Sequence, residues 1–212
     1  MNHQAPTASA PSDLRSEIRS AAVSLLNDGG VAEATASAIA ARAGVTDQEF
    51  KDEFGSASDV YREIVRELMA AHGVRIAETL TRRRSLTESL TVAHFASWDL
   101  IEDRVDDHQA LMCLRSAEVT EPGLVAVSEA GGSIHDTLAS GAEVWLTEVG
   151  RIHDVIWELP VAQLARHQVA SMYGLILDYL ARRDGETSRR IISTLSFDLA
   201  QRGRRRSKNR SY

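Results

Sequence analysis

Residues 35–54 read TASAIAARAGVTDQEFKDEF, and they carry the clearest structural pattern in the chain. Its first part predicts a short helix, because small and apolar residues recur there at helical spacing. Gly44 ends that helix, since glycine readily adopts the left-handed backbone of a helix C-terminus. Thr46 then caps a second helix through its hydroxyl oxygen, and Glu49, three residues later, completes a capping-box pattern. The stretch therefore predicts two short helices joined by a tight turn.

The second helix has one apolar face, because Phe50 and Phe54 lie four residues apart. The first helix has its own apolar face, formed by Ile39 and the alanines around it. A small-residue helix, a Gly-Val-Thr turn and a second short helix together predict a helix-turn-helix. This motif can place its second helix in the major groove of DNA.

The composition of the whole chain favours helices around a sizeable core. The chain has 212 residues, of which 43% are hydrophobic, and it contains only four prolines. Alanine, leucine, arginine and glutamate dominate, whereas β-branched runs with a period of two are scarce. The length allows a small DNA-binding domain and a larger body. We therefore expect an all-α protein.

Charge and cysteine content bear on the partner and the compartment. The net charge of −6 is an unexpected sign for a nucleic-acid binder, although only the local field at the docking face counts. Cys113 is the only cysteine, which excludes an intrachain disulfide and suits a reducing compartment. No apolar run approaches the roughly 18 residues of a membrane span, and the N-terminus lacks the apolar core of a signal peptide. We expect a cytoplasmic protein.

Composition and periodicity divide the chain into four parts. Residues 1–11 are polar and aperiodic, which predicts a disordered arm. Residues 12–56 hold the helix-turn-helix domain, residues 57–202 form a helical body, and residues 203–212 form a basic, disordered tail. The predicted helices outside the motif are Leu14–Asp28, a helix from Ser56 or Ser58 to about Arg82–Arg84, Leu86–Asp103, Ala110–Val119, Leu124–Val149 with interruptions at its glycines, Pro160–Arg183, and Thr187–Arg202.

Three segments between Ile18 and Tyr61 carry a resemblance to a known family: IRSAAVSLLNDGG, ATASAIAARAGVT and QEFKDEFGSASDVY. In these segments, and in the order of its helices, the chain resembles the tetracycline-repressor (TetR) family of bacterial regulators. The resemblance implies an all-helical homodimer with an N-terminal three-helix DNA-binding domain. It also implies a larger domain that binds a small effector, with a four-helix dimer interface made by Pro160–Arg183 and Thr187–Arg202.

The recognition helix departs from the family pattern. Gln48 stands where a small residue is usual, Lys51 where tyrosine is usual, and Ala57 where lysine is common. Candidate phosphate contacts are Thr35, Ser37, Thr46 and Lys51, Gln48 is the candidate for reading adenine, and Asp47 and Asp52 also face the groove. The acids of this helix, Asp47, Glu49, Asp52 and Glu53, oppose phosphate binding. Asp47 and Glu49 also lie in the first turn, where acids favour the helix dipole.

The effector pocket implied by the resemblance falls among the aromatic residues of the body. Taken singly, each of these residues is better explained as a plain core residue than as part of a ligand site. Apolar walls with few polar groups are typical of a ligand cavity, and His94 or Arg115 would supply the polar anchor for a mostly apolar ligand. The candidate lining residues are His94, Phe95, Trp98, Met112, Arg115, Trp145, Trp157 and Tyr173.

Other chemistry has little support in the sequence. The histidines do not pair with carboxylates at zinc-site spacing, and no serine or cysteine occurs in a nucleophile-elbow pattern. We expect no metal, no cofactor and no enzymatic activity. The resemblance implies a ligand-responsive, dimeric DNA-binding regulator, most simply a repressor that a small apolar effector releases from an operator. The alternative is a protein of the same fold with degenerate DNA binding, which acts through a protein partner or as a ligand-binding module.

Overall fold

The computed structural model describes residues 11–121 and 133–205, and these ranges are almost entirely helical, which confirms the all-α prediction. Three predicted features lie wholly or partly outside the described residues: the N-terminal arm, the start of the helix predicted from Leu124, and the tail beyond Arg205. The described elements are α1 (Pro11–Gly29), α2 (Ala36–Ala43), α3 (Asp47–Phe54), α4 (Ala57–Ala77), α5 (Leu86–Asp103), α6 (Val105–Thr120), α7 (Ile134–His153), β1 (Val155–Trp157), α8 (Val161–Arg182), α9 (Gly185–Gln201) and β2 (Gly203–Arg205).

Two helix boundaries differ by five residues or more from those predicted. Helix α4 ends at Ala77, so the three arginines predicted to lie at its end belong to the loop that follows. One of them, Arg84, still satisfies a free carbonyl, because its Nη1 donates to Thr79 O at 2.8 Å. Helix α6 begins at Val105, five residues before the predicted start, and two aspartates occupy its first turn, where acids favour the helix dipole.

The chain forms two compact units that interleave along the sequence. Of the described residues, one unit takes 11–65 and 109–121, and the other takes 66–108 and 133–205. Helices α4 and α6 therefore contribute to both units. The sequence placed a single boundary after Ser56, and that boundary stays a prediction.

The core of the first unit joins the helix-turn-helix to α1. Ile18, Leu26, Ile39 and Phe50 are almost completely buried in it. Tyr61 is also buried and donates its hydroxyl to Ala34 O at 2.6 Å. Burial raises the pKa of Tyr61 to about 12, so this hydroxyl keeps its proton and its hydrogen bond at neutral pH.

The second unit packs α5 against α9 and α7 against α8. A short antiparallel pair closes it, with Ile156 opposite Arg204 and Trp157 opposite Gly203. The sequence assigned residues 203–205 to the tail, but they form β2 instead. The Leu86 side chain packs close to the backbone of Gly203, because a Cβ at that position would lie only 2.8 Å from Leu86 Cδ2.

The core cluster of the second unit is apolar and draws on helices and strands together. Its members are Leu90, Ala93, Trp145, Leu146, Val149, Val155, Trp157, Leu164, Ala165, Leu199 and Ala200. Across the helices of residues 11–121 and 133–205, none combines the length and the apolar character of a membrane span.

Candidate functional site

The turn of the helix-turn-helix forms as the sequence predicts. Gly44 adopts the left-handed backbone, with φ 71° and ψ 26°. Thr46 Oγ1 accepts from Glu49 N at 3.2 Å, and Glu49 Oε2 accepts from Thr46 N at 2.8 Å, so the predicted capping box is confirmed. One helix earlier, Thr35 Oγ1 caps α2 by accepting from Ala38 N at 3.3 Å. These local bonds fix where α3 begins and which way its side chains face.

Helix α3 buries one face and exposes the other. Phe50 and Phe54 lie inside the first unit with their ring centroids 6.4 Å apart. Gln48 and Lys51 are exposed, and the Lys51 side chain has no hydrogen bond or ion pair with any residue that the structure describes. The other candidate DNA-contact residues are exposed as well: Thr35, Ser37, Thr46, Asp47 and Asp52.

The carboxylates of α3 differ in their partners. Glu49 is held in the capping box, and its hydrogen bonds with Thr46 lower the pKa of its carboxyl. Glu53 pairs with Arg15 of α1 at 3.5 Å, while the Arg15 guanidinium lies 4.0 Å from the centre of the Phe54 ring. Asp52 accepts from Gln48 Nε2 at 2.8 Å. The acids are therefore partly neutralised from within the unit, yet the exposed face of α3 carries a single cation.

The contact between Gln48 and Asp52 bears on base reading. A glutamine that reads adenine uses both its amide nitrogen and its amide oxygen. In the free protein one amide proton of Gln48 is already engaged by a carboxylate on the next turn. Sequence reasoning overlooked this competition, although the i, i+4 spacing of the two residues indicates it.

Arg42 is a further exposed cation of the first unit that the sequence did not single out. It lies in the last turn of α2 and pairs with Asp28 at 3.1 Å. It also donates to Ser24 Oγ at 2.6 Å. Because two acceptors of α1 already hold Arg42, a phosphate would have to compete with them.

His94 of α5 lies at the centre of a buried polar chain in the second unit. Ile192 O can only accept, so the Ser196 hydroxyl donates to it at 2.8 Å. Ser196 Oγ is then the acceptor for His94 Nδ1–H at 2.7 Å, which leaves His94 Nε2 to accept from the Gln168 amide at 2.7 Å. Burial lowers the pKa of His94 to about 4, and the ring is neutral at physiological pH.

The structure brings together two of the residues predicted to line an effector pocket. The rings of His94 and Trp145 lie 5.0 Å apart in an edge-to-face arrangement. Gln168 and Ser196, which the sequence did not single out, complete this group from α8 and α9. We refer to His94, Trp145, Gln168 and Ser196 as the His94 cluster.

The remaining predicted pocket residues are not members of the His94 cluster, although Trp157 shares the core cluster with Trp145. Trp98 donates its Nε1 to Glu102 at 2.9 Å and packs edge-to-face against Tyr179, with ring centroids 5.2 Å apart. The Arg189 guanidinium lies over the Phe95 ring, with its Cζ 5.7 Å from the ring centroid. Tyr173 is partly buried on α8, and Trp157 donates its Nε1 to a backbone carbonyl within the core cluster. Two further residues, Met112 and Arg115, belong to the other compact unit.

Comparisons with known proteins define the fold. No family model matches the chain, and no curated protein matches it. Among solved structures, a protein assigned to the TetR family of transcriptional regulators from Syntrophomonas wolfei str. Goettingen is 12% identical and superposes with a TM-score of 0.75 over 91% of this chain and 97% of that one. The fatty acid degradation regulator FadR from Bacillus halodurans is 16% identical, with a TM-score of 0.67 over 94% and 97%.

A gamma-butyrolactone receptor, an ArpA-like protein, is 23% identical, with a TM-score of 0.58 over 90% of this chain and 97% of that one. Each likeness extends over nearly the full length of both chains. The chain therefore has the fold of the TetR-family regulators, as the three sequence segments implied.

Proposed function

We propose that this chain is a TetR-family transcriptional regulator that binds an operator as a cytoplasmic homodimer and responds to a small, mostly apolar effector. The observation that carries the proposal is the geometry of α3. This short helix is capped at its start and anchored by Phe50 and Phe54, and it presents Gln48 and Lys51 to solvent. That is the arrangement a recognition helix needs in order to reach base edges while its far side stays buried.

The proposed DNA contacts divide by chemistry. Lys51 supplies charge to a phosphate, and the hydroxyls of Thr35 and Ser37 donate to neighbouring phosphates. The Thr46 hydroxyl donates to Glu49 Oε2 at 2.8 Å, so it contacts a phosphate only after it releases that carboxylate. Gln48 reads adenine after it releases Asp52. Asp47 and Asp52 can accept from cytosine N4, a contact that is favourable only when the phosphate contacts hold the helix in place.

The proposed dimer is supported by apolar side chains that remain exposed on α8 and α9. Leu177 is 44% exposed, Ile191 39% and Phe197 53%. Large apolar side chains on two helices of one unit are typical of a surface that a second copy covers. Pairing of these two helices with their symmetry mates gives a four-helix interface.

The proposed effector response rests on the second unit. One neighbour in fold is named as a gamma-butyrolactone receptor, which supports a ligand-binding role for the corresponding unit here. Within the His94 cluster, His94 bonds to Ser196 and Gln168, whereas Trp145 Nε1 makes no hydrogen bond with any described residue and so offers a polar group inside an apolar core, as a small-molecule site requires. An effector would weaken operator binding only if it bound one conformation of the dimer better than the other. We assign the chain a binding role rather than catalysis, because these neighbours are transcriptional regulators and receptors.

One observation favours a second candidate, in which the fold has lost ordinary DNA binding and acts through a protein partner or as a ligand-binding module. Helix α3 carries four carboxylates and one lysine. Carboxylates close to phosphates reduce affinity through charge repulsion. This candidate predicts effector binding without operator binding.

A mobility-shift titration separates the two candidates. The probe is the DNA upstream of the gene for this chain, and the control is a shuffled duplex of equal length, each at 50 and 200 mM salt. A regulator binds the upstream duplex more tightly than the shuffled one, and its affinity falls with salt by about 0.9 logarithmic units per phosphate contact for each tenfold rise in salt. Equal, weak binding to both duplexes at 50 mM salt would support the second candidate.

A further inference from the structure

An indole donor in the apolar core of the second unit has no partner among the residues that the structure describes. Trp145 is only 8% exposed, and its Nε1 makes no hydrogen bond with any described residue. Trp157 belongs to the same core cluster, and its Nε1 donates to Leu146 O at 3.1 Å. Buried polar atoms are nearly always hydrogen-bonded, so an unpaired indole N–H marks a place where an acceptor atom from outside the chain can bind.

The core cluster that contains Trp145 is apolar. Leu90, Ala93, Leu164 and Ala165 belong to the same cluster. The neighbouring His94 ring is 5% exposed, with both of its nitrogens satisfied by Ser196 and Gln168. Burial is the one cause that lowers the pKa of His94, and no charged side chain of the described residues contributes to the shift. The site therefore offers no cation to a negatively charged ligand.

We propose that the site beside Trp145 and His94 binds an uncharged, largely apolar ligand through one carbonyl oxygen, as found in an ester, a lactone or a ketone. The carbonyl oxygen accepts from Trp145 Nε1–H, and the apolar part of the ligand packs against the leucines and alanines of the cluster. This inference rests on the proposed function for its role as effector. It narrows that function from any small apolar molecule to a neutral carbonyl compound.

A carboxylate ligand fits the site poorly, because its charge would be buried without a counter-ion. The only group within the His94 cluster that can become cationic is the imidazole of His94. Since burial holds the pKa of His94 near 4, about one ring in a thousand is protonated at pH 7. The neutral carbonyl compound avoids this cost altogether.

The first test needs no ligand and compares two matched variants of the full-length protein. Trp145→Phe and Trp157→Phe remove the same atoms, but only the second removes a hydrogen bond. We expect Trp157→Phe to lower the melting temperature by several degrees more than Trp145→Phe, because loss of an unpaired buried donor relieves a penalty. If the two variants lose stability equally, the Trp145 donor is already paired and the proposal fails.

The second test measures ligand class by calorimetry at pH 7.5. The probes are methyl esters of straight-chain acids from six to twelve carbons, together with the corresponding carboxylates. We expect at least one ester to bind ten times more tightly than its carboxylate. Trp145→Phe should weaken that ester at least tenfold, whereas Val144→Ala, at the neighbouring and 71% exposed position of α7, should leave its affinity within twofold. Equal or tighter binding of the carboxylates, unchanged ester affinity in Trp145→Phe, or no binding by any ester would overturn the proposal.

The ligand test and the test of the proposed function can fail independently of each other. Ligand binding is measured without DNA, so it is independent of operator recognition. An ester that binds through Trp145 but leaves operator affinity unchanged would count against the proposed effector response and would leave the carbonyl site in place.

Discussion

His72 Nε2 of α4 lies 2.9 Å from His108 Nε2 of α6, and this contact forms the middle of a directed chain of hydrogen bonds. Arg104 O can only accept, so His108 Nδ1–H donates to it at 2.7 Å. His108 Nε2 therefore carries a lone pair and accepts from His72 Nε2–H. His72 Nδ1 then accepts from the Ser97 hydroxyl at 2.8 Å. Both imidazoles are neutral, and the chain links three helices of the second unit.

The burial of these neutral histidines predicts that the protein loses stability in mild acid. Burial lowers the pKa of His72 to about 3 and the pKa of His94 to about 4. It also lowers the pKa of His108, although Asp107 acts in the opposite direction. Below pH 6.5 these histidines bind protons in the unfolded protein but stay neutral in the folded protein. The free energy of unfolding therefore decreases until the pH falls below the pKa values of the histidines in the folded protein. For each histidine that is protonated only in the unfolded protein, we expect the free energy of unfolding to fall by about 1.4 kcal/mol per pH unit. Urea unfolding between pH 7.5 and 5 measures this change.

A matched pair of variants assigns the effect. His72→Gln removes one histidine that is protonated only in the unfolded protein. The free energy of unfolding should then depend on pH less steeply, by the equivalent of about one proton. Gln163→Ala changes an exposed side chain of α8 that carries no titratable group, and we expect it to leave the pH dependence unaltered. A wild-type free energy of unfolding that stays constant from pH 7.5 to 5 would show that these rings are not held neutral.

The contrast between the motif and this histidine pair shows what sequence reasoning can reach. Gly44, Thr46 and Glu49 act on groups three or four residues away, so their spacing predicted the turn and the capping box. His72 and His108 are separated by 36 positions, and Gln168 reaches His94 across 74. Only the packing of the helices brings such residues together, and no local pattern marks them.

The same dependence on helix packing explains why the residues predicted to line the pocket do not all lie in one group. The sequence predicted a pocket among the aromatic residues of positions 57–202, but side chains on one helix can face different neighbours. On α5, His94 turns toward Ser196 and Gln168, whereas Trp98, four residues later, donates to Glu102 of its own helix. The strand β2 was missed because three residues are too few for a period of two to be recognised.

Lys51→Ala tests the phosphate contact. Its ammonium is exposed and has no partner among the described residues, so we expect the change to weaken binding similarly on the upstream and the shuffled duplex. The slope of log affinity against log salt should become shallower by about one unit. Arg83→Ala removes an equal charge from an exposed loop position of the second unit and serves as the control. An unchanged slope in Lys51→Ala would remove this residue from the DNA interface.

Asp52→Asn tests the cost of the acidic face. It removes one carboxylate from α3 and frees the amide of Gln48 from its ionic acceptor. One charge at 6–8 Å from a phosphate is worth about 0.6 kcal/mol in water, so we expect operator affinity to increase about threefold at low salt. Glu186→Gln on α9 is the matched control, because it removes an exposed carboxylate of the second unit. Weaker binding by Asp52→Asn would instead indicate that the carboxylate itself contacts a base.

Phe197→Asp tests the proposed dimer surface. Phe197 is 53% exposed on α9, and burial of a phenylalanine side chain is worth roughly 1.5–3 kcal/mol. A two-fold interface contains the residue twice, so about half of this value per copy is enough to raise the dissociation constant of the dimer at least tenfold. Sedimentation velocity over a range of concentrations measures this change. Val144→Asp, at a position of α7 that is 71% exposed, is the control and should leave the dimer intact. If both variants sediment as the wild type does, α9 does not form the interface, and the arrangement of the two recognition helices would have to arise from another surface.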